Sequence, residues 1–159
     1  MTTPQPDAAA RATVDRYVAA VTSRDPALAT GCFAEDGVLT TPGGTFRGRI
    51  KIGPYIEWVF AGFKQMGVHE RGIGRRFFDG GAVVEEMQTF VDQRDHHYEL
   101  PTVTVFEFDG QGMILRMEVF QDGWAFVRQG ADQSSGLNGL VARSFTSRID
   151  SEMKKGMPV

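Results

Sequence analysis

Apolar positions recur with helical spacing through the first third of the chain and with alternating, strand-like spacing through the middle. Val14, Tyr17, Val18 and Val21 fall at i, i+3, i+4 and i+7, one apolar stripe on a polar background, which predicts an amphipathic helix starting near Ala8. Asp7 is placed to cap it. Ser23-Arg24-Asp25-Pro26 then ends one helix and starts the next. Asp25 serves as cap, and Pro26 suits a first helical position, where its missing N–H would have had no partner. The short second helix is expected to carry Leu28, Cys32 and Phe33 on one side. Gly37 to Thr41 reads as a strand and Pro42-Gly43-Gly44 as its turn. Ile52, Tyr55, Ile56, Val59, Phe60 and Phe63 return to helical spacing. Pro54 lies within that third helix, so either the helix starts near Gly53 or its first turn is distorted.

After Gly67 four extended segments follow, His69–Phe78, Ala82–Val91, His97–Phe108 and Met113–Gln121. Asp79-Gly80-Gly81 and Asp109-Gly110-Gln111-Gly112 supply the glycines of tight hairpins, while Asp92-Gln93-Arg94-Asp95 is a polar loop. Gly72 and Gly74 fall inside a strand, where they mark a bend or bulge. Three helices followed by an antiparallel meander make an α+β domain. The expected organisation is a disordered stretch at 1–7, a domain at 8–129, and a segment at 130–159. That last segment begins with a flexible link, Gly130 to Gly139, rich in Gly, Ser and Gln. Beyond it Val141, Phe145, Ile149 and Met153 recur every four residues, with Leu137 one step before, and predict a terminal amphipathic helix.

Composition narrows the function classes. A chain of 159 residues with 42% hydrophobic and 23% charged residues is long enough for one well-packed core. A net charge of −3 gives no reason to expect nucleic acid or a membrane surface as partner. The basic groups Arg47/Arg49/Lys51 and Arg71/Arg75/Arg76 read as solvated surface. A single cysteine, Cys32, excludes an internal disulfide and reads as a small buried hydrophobe. No stretch reaches the roughly 18 apolar residues of a membrane span, and no signal pattern opens the chain, so a cytoplasmic location is expected. No metal-ligand spacing, phosphate-binding glycine loop or Ser-His-Asp context is present, and no cofactor or metal is expected.

Several strings, in this order and spacing, resemble one superfamily. Asp15-Arg16-Tyr17-Val18-Ala19-Ala20-Val21, Asp25 and Cys32-Phe33-Ala34-Glu35-Asp36-Gly37-Val38 resemble the opening of SnoaL-like proteins and ketosteroid isomerases, in the nuclear transport factor 2-like superfamily. Phe46-Arg47-Gly48-Arg49 and Val105-Phe106-Glu107-Phe108-Asp109-Gly110-Gln111-Gly112 fit the same pattern, and Tyr98 to Phe108 resembles a strand of limonene-epoxide hydrolases. The resemblance covers about residues 8 to 128. It implies a cone-shaped α+β barrel, helices closing a strongly curved antiparallel sheet round an apolar cavity. It also implies a small, mostly apolar ligand, polyketide, terpenoid or steroid-like, and a homodimer through the convex sheet face. Activities in the superfamily include isomerases, cyclases, dehydratases and epoxide hydrolases, alongside proteins that only bind, so pocket residues must decide.

The catalytic carboxylates of the better-known relatives are mostly replaced. At the ketosteroid isomerase base position stands Thr41, a hydroxyl too weak for that work near neutral pH. At the enolate-binding acid position stands Thr104, a weaker oxyanion donor; the tyrosine partner matches as Tyr17. The epoxide hydrolase positions fall near Glu85, Met87 and Val119, which do not complete an Asp/Arg/Asp set. Four other acid/base candidates follow, Glu85, Glu86 and His69 from the residues themselves and Asp122 from the resemblance, which implies a cavity-facing aspartate after the last strand. Glu85 and Glu86 lie mid-strand, so one of them must face inward, where burial raises a carboxyl's pKa unless Arg75 or Arg76 pairs with it. Asp122, after the last strand, either faces the cavity or caps a turn. His69 is a further base or acid, or a strand-end surface residue. Tyr55, Trp58, Met87, Met117, Val119, Thr41 and Thr104 are expected to line the pocket. Alternation puts Met117 and Val119 inside with Thr102 and Thr104, and Val103 and Val105 outside.

Overall fold

The structure is a computed structural model that describes residues 7–133. Helix α1 spans Asp7–Ser23 and α2 Pro26–Gly31. Between them Asp25 caps as its position suggests, its carboxylate accepting the Leu28 N–H at 2.9 Å, with Pro26 opening the helix. The chain turns at Cys32 and enters β1, Phe33–Thr41, hairpins at Pro42-Gly43 into β2, Gly44–Arg47, and then forms α3, Arg49–Gly62. Phe33 is therefore a strand residue, not part of the second helix, and Phe63 begins the next strand instead of ending the third helix. Helix α3 starts at Arg49 with Pro54 inside it, because Gly48 at its N-cap adopts φ +74, a left-handed angle that glycine reaches without steric cost.

Strands β3 (Phe63–Phe78), β4 (Gly81–Asp92), β5 (His97–Phe108) and β6 (Ile114–Gln121) form the meander, and α4 (Gly123–Gln133) follows. The sheet order is β2-β1-β6-β5-β4-β3. Every pairing is antiparallel except β1 with β6, which is parallel, so the sheet is not wholly antiparallel. Gly72 and Gly74, at φ +56 and +61, sit in a bulge where the β3–β4 register breaks between Glu70 and Arg75. Residues 130–133, expected to open a flexible link, are the last turn of α4. The amphipathic helix expected beyond Leu137 lies outside the described residues.

Alternation sets the two faces of the curled sheet. Ala82, Val84, Glu86 and Phe90 of β4, Leu100, Thr102, Thr104 and Phe106 of β5, and Met117 of β6 are buried on the concave side. Helices α1 and α3 supply the opposing wall, with Val14, Ala20, Val21, Ile52, Ile56 and Phe60 in the same core. Cys32 is fully buried, its thiol directed at the Leu28 carbonyl at 3.3 Å, and burial pushes its pKa up. That thiol is a packing group, since the thiolate is disfavoured.

Candidate functional site

The concave side closes on an apolar cavity of about 260 Å³. An engineered cavity of about 150 Å³ accommodates benzene, so a ligand of roughly ten to twelve non-hydrogen atoms fits this one. Leu39, Ile56, Phe60, Phe63 and Phe90 build much of its wall. None of the described residues lining it carries a charge. Polar groups enter at two places. At one end the Thr41 and Tyr55 hydroxyls bond each other at 2.8 Å, with the Tyr55 ring stacked on Phe46 at 3.9 Å. At the other, Gln88 of β4 and Gln121 of β6 face inward.

These two amides belong to a chain of hydrogen bonds across three strands. Gln121 Nε2 donates to Thr102 Oγ1 at 2.9 Å and to Gln88 Oε1 at 2.6 Å. Gln88 Nε2 donates to Glu86 Oε1 at 2.6 Å, and the Thr102 hydroxyl donates to the Leu100 carbonyl at 3.0 Å. Glu86 is only 5% exposed. Burial pushes its carboxyl above the usual range; the Gln88 bond and the charge of Arg75 pull it back in part. No lysine or arginine within salt-bridge distance of Glu86 appears among the described residues. Arg75 is held by Glu70 at 2.6 Å and by Asp15.

Behind the cavity wall a small void of about 10 Å³ is bordered by Tyr17, Glu86, Gln88, Thr104 and Met117. Tyr17, Gln88 and Met117 line the main cavity too. The Tyr17 ring is fixed edge-on between Phe33 and Phe106, at 6.1 and 6.4 Å. Burial and then the nearby Glu86 hold its phenol protonated, well above the usual range. The Thr104 hydroxyl is buried with no hydrogen-bond partner among the described residues.

Helix α4 forms the cavity's rim through Gly123 and Phe126. Beyond Thr102 the β5 edge has no β6 partner, and α4 takes that place with side chains. Gln129 accepts from the Glu99 N–H at 2.8 Å and donates to the Glu99 carbonyl at 2.9 Å; Gln133 does the same with His97, both bonds at 2.5 Å. One turn apart on the helix, the two amides imitate a neighbouring strand. Phe126 stacks on Tyr98 at 4.2 Å, and the Tyr98 hydroxyl donates to Asp92 at 3.1 Å. Burial followed by that carboxylate's charge pushes the Tyr98 phenol up to about 12. Burial alone would raise the Asp92 carboxyl, yet backbone donors at His96 and Arg94 and the Tyr98 hydroxyl hold it below its ordinary range.

The residues expected to act or bind divide accordingly. Tyr17, Thr41, Tyr55, Met117 and Val119 line the cavity, and Glu86 and Thr104 lie immediately behind it. His69 and Met87 are register partners on the convex face, His69 exposed, and neither reaches the cavity. Glu85 is on that face as well, 3.5 Å from Arg71 and accepting the Ile73 N–H at 3.1 Å. Trp58 is 73% exposed on the outer side of α3. Asp122 accepts the Trp124 and Ala125 N–H groups at 2.9 and 3.1 Å and pairs with Arg128 at 3.2 Å, so its carboxylate caps α4. Gln88, Gln121 and Phe126 line the cavity as well, outside the expected set. Gln88 and Gln121 follow Glu86 and Val119 by two positions, so alternation alone was enough to place them inside.

A family profile for the SnoaL-like domain matches residues 14–117, and the chain belongs to that family. Solved structures share the fold. A protein from Catenulispora acidiphila with a ketosteroid isomerase-like fold, crystallised with trimethylamine, superposes with a TM-score of 0.67 at 18% identity, covering 84% of this chain and 100% of that one. A SnoaL-like polyketide cyclase, so named provisionally, from Shewanella denitrificans gives 0.68 at 13% identity over 78% and 98%. TerC, co-crystallised with polyporic acid, gives 0.65 at 20% identity over 75% and 95%. No curated protein matches the sequence. Among the described residues no helix is long and apolar enough to cross a membrane.

Proposed function

We propose that the protein is a cofactor-independent enzyme that moves a proton on a small, neutral, mostly apolar substrate, as an isomerase, cyclase or dehydratase does. The observation that carries this reading is Glu86, a buried carboxyl with no lysine or arginine at salt-bridge distance among the described residues, beside a cavity whose described lining is uncharged. A carboxyl whose pKa is raised by burial is a stronger base once ionised, and it is poised nearer neutral pH. The void of about 10 Å³ that it shares with Tyr17 and Thr104 is about one probe sphere, room for a single water. Through that water Glu86 takes the proton. Tyr17 and the Thr41–Tyr55 pair orient the substrate and stabilise the developing oxyanion. Neighbours crystallised with trimethylamine and with polyporic acid support a pocket for small ligands. A homodimer through the convex face, where Val103 and Phe120 stand exposed as cross-strand partners, completes the proposal; Val103→Asp should then yield monomers in analytical ultracentrifugation.

The test is deuterium exchange at the acidic carbon of 2-tetralone in D₂O, followed by NMR. Wild type should accelerate exchange over buffer, and Glu86→Gln should lower the rate about 10²–10⁴-fold while binding persists, with Glu85→Gln unchanged. Binding without any acceleration would favour a second reading, a carrier or sensor. That reading draws on the absence of any charged side chain from the described cavity lining itself.

A further inference from the structure

The hydrogen-bond chain behind the cavity has a direction, and Glu86 sets it. An ionised carboxylate only accepts, so Gln88 must turn its Nε2 to Glu86 Oε1, as it does at 2.6 Å. That leaves Gln88 Oε1 toward Gln121, which must answer with Nε2, also at 2.6 Å. The second Nε2 proton of Gln121 goes to Thr102 Oγ1 at 2.9 Å, whose own proton is spent on the Leu100 carbonyl. Both Gln121 donors are consumed within the wall. Its Oε1 is the polar atom left for the cavity it lines.

Protonation of Glu86 permits the reverse. A neutral carboxyl donates its O–H to Gln88 Oε1 once that amide has turned over. Gln88 Nε2 then donates to Gln121 Oε1, and the Thr102 hydroxyl rotates from the Leu100 carbonyl to the same oxygen. Gln121 Nε2 is thereby released to the cavity. Glu86, Gln88, Gln121 and Thr102 each keep a hydrogen bond in both arrangements, because a carboxamide, a hydroxyl and a neutral carboxyl each donate and accept; the Leu100 carbonyl alone gives up the Thr102 hydroxyl. An apolar wall would lack this property, and so would a Glu86 locked to an arginine.

We propose that the protonation state of Glu86 is written onto the cavity through Gln88 and Gln121, so that the pocket presents an acceptor when Glu86 is ionised and a donor when it is neutral. The ligand class follows. The ionised form selects a neutral ring carrying a hydroxyl or enol O–H, and the neutral form selects the matching ketone or ether. This rests on the reading of the cavity as a site for small neutral ligands, and it adds which tautomer each charge state holds. The groups that bear on Glu86 are Tyr17 from α1, Arg75 and Glu70 from β3, and Gln88 on its own strand. Arg75 is shared with Glu70 and Asp15. Tyr17 is held protonated, so Glu86, whose carboxyl burial raises, is the ionisable group on which the relay turns.

The decisive measurement needs no ligand. Carbon-detected NMR of the full chain, from about pH 4 to about pH 9, should show the Gln88 and Gln121 side-chain carboxamide signals titrating with the Glu86 carboxyl carbon at one midpoint. In Glu86→Gln they should stay flat. Carboxamide signals that do not move while Glu86 titrates overturn the relay, as does a Glu86 that never titrates. Affinities for 2-naphthol and 2-methoxynaphthalene supply the second arm. The preference for the naphthol should be about tenfold, the worth of one hydrogen bond, above the Glu86 midpoint, and should vanish or reverse below it. In Gln121→Met the preference should be absent at every pH. A preference unchanged by pH in wild type refutes the proposal. Neither arm reads turnover: loss of tetralone exchange would remove the enzymatic reading and leave the relay standing. If neither naphthalene binds, the ligand assignment falls, and the carboxamide titration still decides the relay.

Discussion

Two glutamates, adjacent in sequence, show how the sheet divides its chemistry. Glu85 projects from the convex face, where Arg71 stands 3.5 Å away and the Ile73 N–H of the β3 bulge bonds to it. Glu86 projects the other way, is 5% exposed, and has an amide and a phenol for company. Partnered at the surface, a carboxylate is a tie between strands. Buried with no cation at salt-bridge distance among the described residues, it stores a large sensitivity to its surroundings, because the low local dielectric strengthens every interaction its charge makes. One step along a strand separates structure from chemistry.

If that division of faces is real, truncation should read it out directly. Phe106→Ala, on the concave side at 3% exposure, removes a ring that also holds Tyr17 edge-on at 6.4 Å. It should cost about 3–5 kcal/mol in urea unfolding. Its neighbour on the other face, Val103→Ala, should cost well under ~1 kcal/mol, since Val103 is 37% exposed. Equal costs would break the comparison.

The faces were legible in the sequence because a strand's period of two leaves little choice once Met117, Val119, Thr102 and Thr104 are taken as one set. What was not legible depends on partners that periodicity does not contain. Trp58 belongs by spacing beside Tyr55, yet it falls outside the arc that α3 buries. Met87 is expected at the pocket from the resemblance and shares the face of Glu85 instead, while His69 is expected there because β3 is expected to begin at His69. That strand begins at Phe63, which places His69 mid-sheet on the convex side. Asp122 fitted two roles equally, and only α4, which the Gly-rich composition concealed, decided for the cap. The same concealment hid the Gln129 and Gln133 clamp, since two glutamines four apart acquire meaning only beside an unpaired strand edge.

The convex partner of the comparison can be sharpened at the bulge. Gly72, at φ +56, lies directly under the Glu85 carboxylate, where any Cβ would collide with it. Gly72→Ala should therefore destabilise by about 1–2 kcal/mol from the left-handed backbone angle alone, with a further increment from the collision. Glu85→Ala in the same chain should return that increment. A double-mutant cycle measures the coupling; strict additivity would show that Glu85 does not pack over the bulge.

The smallest effect discriminates most finely, because the two glutamates should differ in how stability depends on pH. Folding raises the Glu86 pKa through burial, so the folded state holds that proton more tightly than the unfolded chain does. Its favourable contribution is fully present below the unfolded value of about 4.3 and is lost as pH rises through the raised folded value. Glu86→Gln carries no charge to bury. It should match or slightly trail wild type near pH 4 and gain on it as pH rises, with about 2–4 °C in Tm for each kcal/mol. Glu85→Gln removes an exposed ion pair of the kind worth about 0–1 kcal/mol and should show no such gain. Thermal melts of the three proteins across that range give the comparison. A Glu86→Gln variant that loses stability as pH rises would mean that Glu86 is stabilised as the anion, and the buried base would be lost with it.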